Sequence, residues 1–266
     1  MSFKDRFSHS SAHLSEKKIK KHLVHKASVN VFKTIDSTNN EAKRRLESGF
    51  SGKALIAAET QTGGRGRLGR TFYSPENTGL YFTVILPADF SFEETTLLTP
   101  AAAVAVMHVM ERVTGKKVKI KWVNDIYLED KKICGILAEA VTNFETGKLL
   151  GVAVGIGINL STQDFPEEIA QVASSLGIEN ADRNFIAASI ANELFTFAQN
   201  LSAREFIPEY RENSYVTGKD IFVIKGEKKY EARAVGIDND GGLIAELPNG
   251  TQDILRGGEI SVRIKK

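Results

Sequence analysis

Apolar residues recur in two spacings that divide the chain into two parts. Up to about residue 212, short apolar runs typical of strands alternate with longer stretches typical of helices. The predicted strands are 29–32, 54–59, 79–86, 117–127, 132–141 and 149–160, with a hairpin turn at 128–131. The predicted helices run from Thr38 to about Gly49 and over 96–114, 184–201 and 203–212. Thr38 and Glu41 have the spacing of a capping box, which predicts the first helix start.

Beyond about Lys219 the pattern changes to short strands. They are predicted at 221–224, 230–237, 243–247, 252–255 and 260–264, with turns rich in glycine, asparagine and aspartate between them. Five short strands in so few residues predict a small barrel. We therefore predict three parts: an N-terminal segment 1–30, a large domain 31–215 and a small domain 216–266.

The N-terminal segment carries most of the positive charge. Residues 1–30 hold seven lysines and arginines against two acidic residues, whereas the whole chain has a formal charge of +2. Such a tail can touch nucleic acid, but it is more often a solvated and weakly ordered end. The segment from Ser15 to Lys21 predicts a short linker helix.

Cysteine and histidine content excludes several kinds of site. Cys134 is the only cysteine, so the chain forms no internal disulfide, and its apolar neighbours predict a buried residue rather than a nucleophile. The histidines lack the spacing of a zinc site, so no protein-held metal is expected. No apolar run reaches the length of a membrane span and the N-terminus lacks a signal peptide, so we expect a soluble, cytoplasmic protein.

The stretch from Gln61 to Arg70 contains four glycines and three arginines between two predicted strands. Glycines let the backbone approach a ligand closely, and arginines suit carboxylate and phosphate groups. No helix follows these glycines, which disfavours a dinucleotide-binding turn, and no Gly-Lys-Ser/Thr sequence marks a phosphate-binding loop of the Walker type. An Arg/Gly-rich RNA-binding tract would be longer. On the residues alone, an anion-binding lid and a solvated loop both stay open.

Three motifs together resemble the biotin–protein ligase family. They are Gly64-Arg65-Gly66-Arg67-Leu68-Gly69-Arg70, then Lys121-Trp122-Val123-Asn124-Asp125, then Lys132-Ile133-Cys134-Gly135-Ile136-Leu137. The resemblance covers roughly residues 31–266. It implies an α+β fold: a central mixed β-sheet backed by helices, like a class II synthetase, with a small C-terminal SH3-like β-barrel.

The resemblance also implies two acyl transfers. Biotin and ATP give biotinyl-5′-AMP and pyrophosphate, and a lysine of a biotin carboxyl carrier protein domain then displaces AMP. Positioning and charge neutralisation suffice for both steps. Mg²⁺ would be held largely by phosphates and water with one carboxylate at most, which fits the absence of a metal cluster. No membrane partner and no specific nucleic acid are implied, and a homodimer is left open.

The family's site residues are carried over by matching position. Lys132, Arg65 and Arg67 would neutralise the charge at the reacting centre. The resemblance assigns biotin binding to Ser37, Thr38, Asn39, Gln61, Gly64, Arg65, Lys132, Gly135, Leu137 and Gly155. It assigns nucleotide binding to Arg67, Phe72, Asn159, Asp125 and Arg263.

Departures from the family pattern bear on affinity rather than on the reaction. Val123 stands where proline is usual, Leu68 where a basic residue is common, and Phe72 where tryptophan is frequent. Bifunctional members carry an N-terminal winged helix-turn-helix, and residues 1–30 are too few for one. We therefore expect a ligase without operator binding.

Three other functions fit parts of the sequence less well. A lipoate–protein ligase shares the general fold and adenylate chemistry, but its glycine-rich pattern differs. A non-enzymatic ligand sensor or DNA-binding regulator is weakly favoured by the basic tail and disfavoured by the full set of donors. A nicotinamide oxidoreductase ranks last, because no helix follows the glycines.

Overall fold

The structure, a computed structural model, describes residues 13–257 and 260–265. Its larger part is a seven-stranded mixed sheet with the order β1-β2-β3-β7-β6-β5-β4. β1 and β2 are parallel, and the other neighbours are antiparallel. The strands are β1 (Ser28–Ile35), β2 (Ala54–Gln61), β3 (Gly79–Pro87), β4 (Lys119–Lys121), β5 (Asp125–Leu128), β6 (Lys131–Thr142) and β7 (Leu149–Asn159).

Helices cover both faces of this sheet. The helices are α1 (Glu16–His22), α2 (Thr38–Glu47), α3 (Leu98–Thr114), α4 (Glu167–Ala170), α5 (Arg183–Gln199) and α6 (Ile207–Glu212). Ala42 and Leu46 of α2 pack on one face, against Ile56 and Ala153. The apolar sides of α3 and α5 pack on the other face in a larger core. Because both faces are covered, β2 and β3 are nearly continuous apolar runs, as fully buried strands are.

A second sheet follows in the C-terminal part. Its strands are β8 (Asp220–Lys225), β9 (Lys228–Ile237), β10 (Leu243–Glu246), β11 (Gln252–Leu255) and β12 (Ile260–Ile264). They pair in the order β11-β10-β9-β8-β12, and every pairing is antiparallel. The five predicted strands and the α+β fold class are thus confirmed. Over residues 217–257 and 260–265, no pairing between β11 and β12 closes the predicted barrel.

Hydrogen bonds and apolar packing join the second sheet to the larger part. The Trp122 indole N–H donates to Gly241 O at 3.0 Å, and Arg211 Nε of α6 donates to Ile237 O on β9 at 2.7 Å. Buried residues of both parts belong to one apolar core. The small sheet therefore packs against the larger part near Trp122. Division of the chain at residue 215 stays a prediction.

The prediction of one strand over 117–127 is wrong. The segment from Trp122 to Asn124 is a turn that separates β4 from β5, and the Trp122–Val123 peptide bond is cis. The Asn124 side chain donates to Ile136 O at 2.7 Å, and Ile136 N donates to Asn124 O at 2.9 Å. These bonds hold the turn against β6. The sequence does not indicate this turn, because Trp122 and Val123 are apolar and buried, and apolar residues there read as the continuation of a strand.

Two local predictions near the N-terminus are also wrong. Residues 1–12 lie outside the described part, but Leu14 and Ile19 are buried, so residues 13–30 are no weakly ordered tail. The predicted linker helix is α1, which packs against α5. The expected capping box is absent as well: the residue preceding α2 is Ser37, and the Glu41 carboxylate accepts instead from Arg44 and Arg45.

Over the described residues, none of the helices combines the length and the apolar character that crossing a bilayer requires.

Candidate active site

One cavity of about 720 Å³ collects nearly all of the predicted site residues. It lies between the start of α2, the glycine–arginine loop, strands β5 to β7 and strand β12 of the small sheet. The predicted residues that line it are Ser37, Thr38, Asn39, Gln61, Arg65, Arg67, Phe72, Asp125, Lys132, Gly135, Leu137, Gly155, Asn159 and Arg263. Gly64 is the exception. It belongs to the glycine–arginine loop but does not line the cavity, and a Cβ on it would fall 2.4 Å from Phe72 O.

Sheet register explains why residues distant in sequence meet here. Gly135 pairs with Gly157, and Leu137 pairs with Gly155, on the neighbouring strands β6 and β7. A Cβ on Gly157 would lie 2.5 Å from the Phe72 ring, and one on Gly135 would lie 3.2 Å from it. Glycine is required at these points because the aromatic ring rests directly on the strand backbone. Gly157, which the sequence did not single out as a site residue, therefore belongs to the cavity floor.

Polar donors gather at the start of α2. Ser37 is 1% exposed, lines the cavity, and makes no capping hydrogen bond with its side chain. Gln61 Oε1 accepts from Thr38 N at 2.8 Å, and Gln61 Nε2 donates to Ser74 Oγ at 3.0 Å. A side-chain amide has two N–H groups, so Gln61 keeps one for a ligand. The Ser37 side chain therefore lines the cavity without capping α2.

Asn39 is engaged within the protein. Its two amide hydrogens go to Leu137 O at 3.1 Å and Glu139 Oε2 at 2.9 Å, and its Oδ1 accepts from the Thr83 hydroxyl at 2.6 Å. A Cβ on Gly155 would lie 2.1 Å from that Oδ1. Asn39 thus fastens α2 to β6 and fits closely over Gly155. The geometry favours a supporting role, and direct contact of Asn39 with biotin stays a prediction.

Lys132 and Asp125 form an ion pair inside the cavity. Lys132 Nζ lies 2.7 Å from Asp125 Oδ1 and 6.0 Å from the centre of the Phe72 ring. The backbone of Lys132 is also fixed, because its N–H donates to Val172 O and its carbonyl accepts from Ser174 N. A flexible side chain is thereby positioned from both ends. Lys132 therefore lines the cavity, as predicted, and its catalytic role stays a prediction.

Sequence reasoning missed Lys121, which lines the same cavity. Its Nζ donates to the Tyr127 hydroxyl at 3.1 Å. Burial lowers the pKa of Lys121, and the nearby charges of Lys132 and Arg263 lower it further, against the opposing effect of Asp125. Burial also raises the pKa of Tyr127 to about 12. The signal for Lys121 was present, since it opens the motif that ends in Asp125.

The glycine–arginine loop is a small hairpin that crosses the cavity. Gly66 N donates to Arg70 O at 2.7 Å, Phe72 N donates to Gly64 O at 2.9 Å, and Leu68 lies exposed at the tip with φ of 57°. Arg67 Nη1 donates to Asn124 Oδ1 at 3.1 Å, and Arg67 Nη2 donates to Ile260 O at 2.8 Å. Burial lowers the pKa of Arg67, and Asp125 offsets part of this effect.

The end of the cavity around Asn159 contains a segment that the sequence did not predict. Phe165, Ile169 and Val172 line the cavity near Asn159, whose Nδ2 donates to Ser174 O at 3.0 Å. Because this bond uses the amide nitrogen of Asn159, the Oδ1 atom is the one that can accept a hydrogen bond from a ligand. Residues 165–173 contain only the one-turn helix α4, so they lack the periodicity that identifies an element.

In the part of the chain that the structure describes, no three histidine, cysteine, aspartate or glutamate residues are grouped to hold a metal ion. Cys134 is buried, as its neighbours predicted, and burial raises the pKa of its thiol. The groups that line the cavity include cations, side-chain amides, hydroxyls, glycine backbone and the carboxylate of Asp125.

Comparisons with known proteins agree with this geometry. Residues 31–159 match the biotin/lipoate A/B protein ligase family, and residues 217–263 match the biotin protein ligase C terminal domain. The bifunctional ligase/repressor BirA of Escherichia coli is 32% identical over 244 residues, which are 89% of this chain and 74% of that protein. The biotin–[acetyl-CoA-carboxylase] ligase of Mycobacterium tuberculosis is 29% identical over 268 residues, covering 94% of this chain and 96% of that one.

Solved structures show the same similarity. The biotin protein ligase from Aquifex aeolicus, in complex with biotin and ATP, superposes with a TM-score of 0.76 at 28% identity and covers 90% of this chain and 99% of that chain. The matched families include both the large sheet and the C-terminal sheet. This chain therefore belongs to the biotin/lipoate A/B protein ligase family.

Proposed function

We propose that this ligase activates biotin with ATP to biotinyl-5′-AMP and transfers biotin to one lysine of a biotin carboxyl carrier protein domain. One observation carries the proposal. Ser37, Arg65, Lys132 and Asn159 come from separate segments, yet they line a single cavity. Family membership supplies the reaction class, and this convergence supplies the site.

Each end of the cavity suits one substrate. Ser37 and the remaining N–H of Gln61 are donors for the ureido group of biotin, and Gly135 and Leu137 offer an apolar wall for its rings. Asn159 Oδ1 is an acceptor for the amino group of adenine, beside Phe72. Lys132 and Arg67 lie between these ends, where the carboxylate of biotin meets the α-phosphate.

No enzyme nucleophile is needed for the chemistry. A carboxylate oxygen of biotin bonds to the α-phosphorus as the bond to pyrophosphate breaks. In the second step the carrier's neutral lysine amine bonds to the acyl carbon, and AMP leaves with the electron pair. Both steps crowd negative charge, so the contribution of Lys132, Arg65 and Arg67 is to hold and neutralise it.

Asp125 fits the requirement for Mg²⁺ that accompanies ATP. Magnesium in nucleotide sites takes one or two carboxylates, with phosphate and water as its other ligands, and Asp125 is a carboxylate that lines the cavity. Bound there, the ion would neutralise charge on the departing pyrophosphate. Asp125 would then serve both the ion and Lys132.

We also propose that the ligase does not bind an operator. Residues 13–30 contain one seven-residue helix, α1, and the first residues of β1, so this described segment contains no helix-turn-helix. Retention of DNA on a gel at physiological salt, lost on deleting residues 1–28, would contradict this.

The test of the proposed function is transfer of label to a carrier. The chain is incubated with ATP, Mg²⁺, labelled biotin and an unmodified carrier domain, and label is located by mass spectrometry. We expect one carrier lysine to be labelled, with no label when ATP is omitted or that lysine is arginine. A folded chain that leaves the carrier unlabelled would overturn the proposal, and transfer of lipoate instead of biotin would assign the chain to the other branch of its family.

A further inference from the structure

Glu139, on β6, joins three separate parts of the site. Its Oε1 lies 2.6 Å from Lys43 Nζ and 3.1 Å from Arg65 Nη2, and its Oε2 accepts from Asn39 at 2.9 Å. The Glu139 side chain is only 16% exposed. One carboxylate therefore holds helix α2, strand β6 and the glycine–arginine loop together.

The Arg65 side chain extends from the loop to Glu139. Its Nη1 also donates to Asn40 Oδ1, on α2, at 2.9 Å. Arg67 reaches in a different direction, to Asn124 and to the carbonyl of Ile260. The loop is thus fastened across the cavity at two points. The Arg65 point is an ion pair with a carboxylate that is mostly buried.

We infer that Glu139 is a positioning residue that latches the loop closed through Arg65. The inference rests on the proposed function, since the ligand that the closed loop retains is biotinyl-5′-AMP. A closed loop keeps water from the mixed anhydride and holds it until the carrier arrives. Loss of the latch should leave the reacting groups in place and shorten the residence of the adenylate.

Glu139→Gln is the direct test, because it keeps the size of the side chain and an acceptor for Asn39. Stopped-flow displacement of a non-hydrolysable biotinyl-5′-AMP analogue should show dissociation faster by about tenfold, as expected for loss of one partly buried charge pair with most of the effect in the off-rate. The KM for biotin should rise while kcat changes less than twofold. Trypsin should also cleave faster after the loop arginines of the liganded variant.

A double-mutant cycle separates the latch from a structural role. Arg65→Gln should raise the dissociation rate at least as much, because Arg65 is also proposed to contact the adenylate, and adding Glu139→Gln to it should have little further effect. Glu231→Gln is the matched control: it breaks an ion pair of 2.8 Å with Lys265 in the small sheet and should leave dissociation unchanged.

Two results would overturn the latch. One is a dissociation rate of Glu139→Gln within twofold of wild type. The other is an effect of Glu139→Gln that is equally large with and without Arg65, because Glu139 would then act through Asn39 or Lys43. Failure of the proposed function looks different, since wild-type protein would then not retain the adenylate analogue at all.

Discussion

Replacement of Lys132 by methionine tests the charge at the centre of the cavity. Lys132→Met removes the ammonium that lies 2.7 Å from Asp125 and keeps an unbranched side chain near Phe72 and Gly135. An ammonium about 4 Å from a phosphate oxygen is worth about 4 kcal/mol at an effective dielectric constant of about 20. Loss of one preorganised donor has a comparable cost, about 2.7–4 kcal/mol of barrier. Because the Lys132 side chain is 30% exposed, we expect the lower end, a rate of adenylate formation about 100-fold slower.

The assay is a single-turnover measurement of pyrophosphate release at saturating biotin and ATP. Lys131→Met is the matched control, since Lys131 is the exposed neighbour on β6 and does not line the cavity. Its rate should equal that of wild type. A thermal melt of each variant checks that the fold is intact. If Lys132→Met keeps a rate within twofold of wild type, Lys132 is not the charged group that stabilises the transition state.

Three further predictions concern the floor, the donors and stability. Gly157→Ala would push the Phe72 ring off the strand, so titration calorimetry should show ATP binding weakened about tenfold and biotin binding affected less. Ser37→Ala should weaken biotin binding about tenfold, yet it should not incur the roughly 1 kcal/mol stability loss typical of a removed helix cap, because the Ser37 side chain makes no capping hydrogen bond. Hydrogen bonds to Glu193 and Glu209 raise the pKa of His108 from 6.5 to about 9, so its stabilising effect is complete below pH 6.5 and lost as pH rises through 9. After allowance for solvent exposure, urea unfolding should show that the stability difference between wild type and His108→Gln falls by about 1 kcal/mol across this range. A pH-independent difference would contradict the pairing.

The strands of both sheets could be predicted because their apolar runs are bounded by clear turns. The turn at Trp122 to Asn124 could not, since it is made by contacts to β6 and to Gly241, which are distant in sequence. Leu14 and Ile19 are isolated apolar positions in a basic segment, and two such positions do not predict that the segment docks on α5 and β2. Tertiary contacts determine both the turn and the docking of the N-terminal segment, and local sequence propensity carries no information about such contacts.

The site divides in a similar way. The residues of the motifs gather in one cavity, so their clustering was predictable from resemblance. The hydrogen bonds within the protein, which determine the donors that remain for a ligand, were not predictable. Both amide hydrogens of Asn39 are used within the protein, whereas the Ser37 side chain makes no capping hydrogen bond. Glu139 and residues 165–173 were missed because neither belongs to a motif. Their roles depend on which backbone or side chain lies beside them in the folded chain.

The most direct measurement is exchange of labelled pyrophosphate into ATP, with and without biotin and in the absence of any carrier. If donors from separate segments join the carboxylate to the nucleotide, exchange depends on biotin, falls about 100-fold in Lys132→Met and persists in Lys131→Met. Folded protein that binds biotin and ATP and yet shows no biotin-dependent exchange would contradict that account.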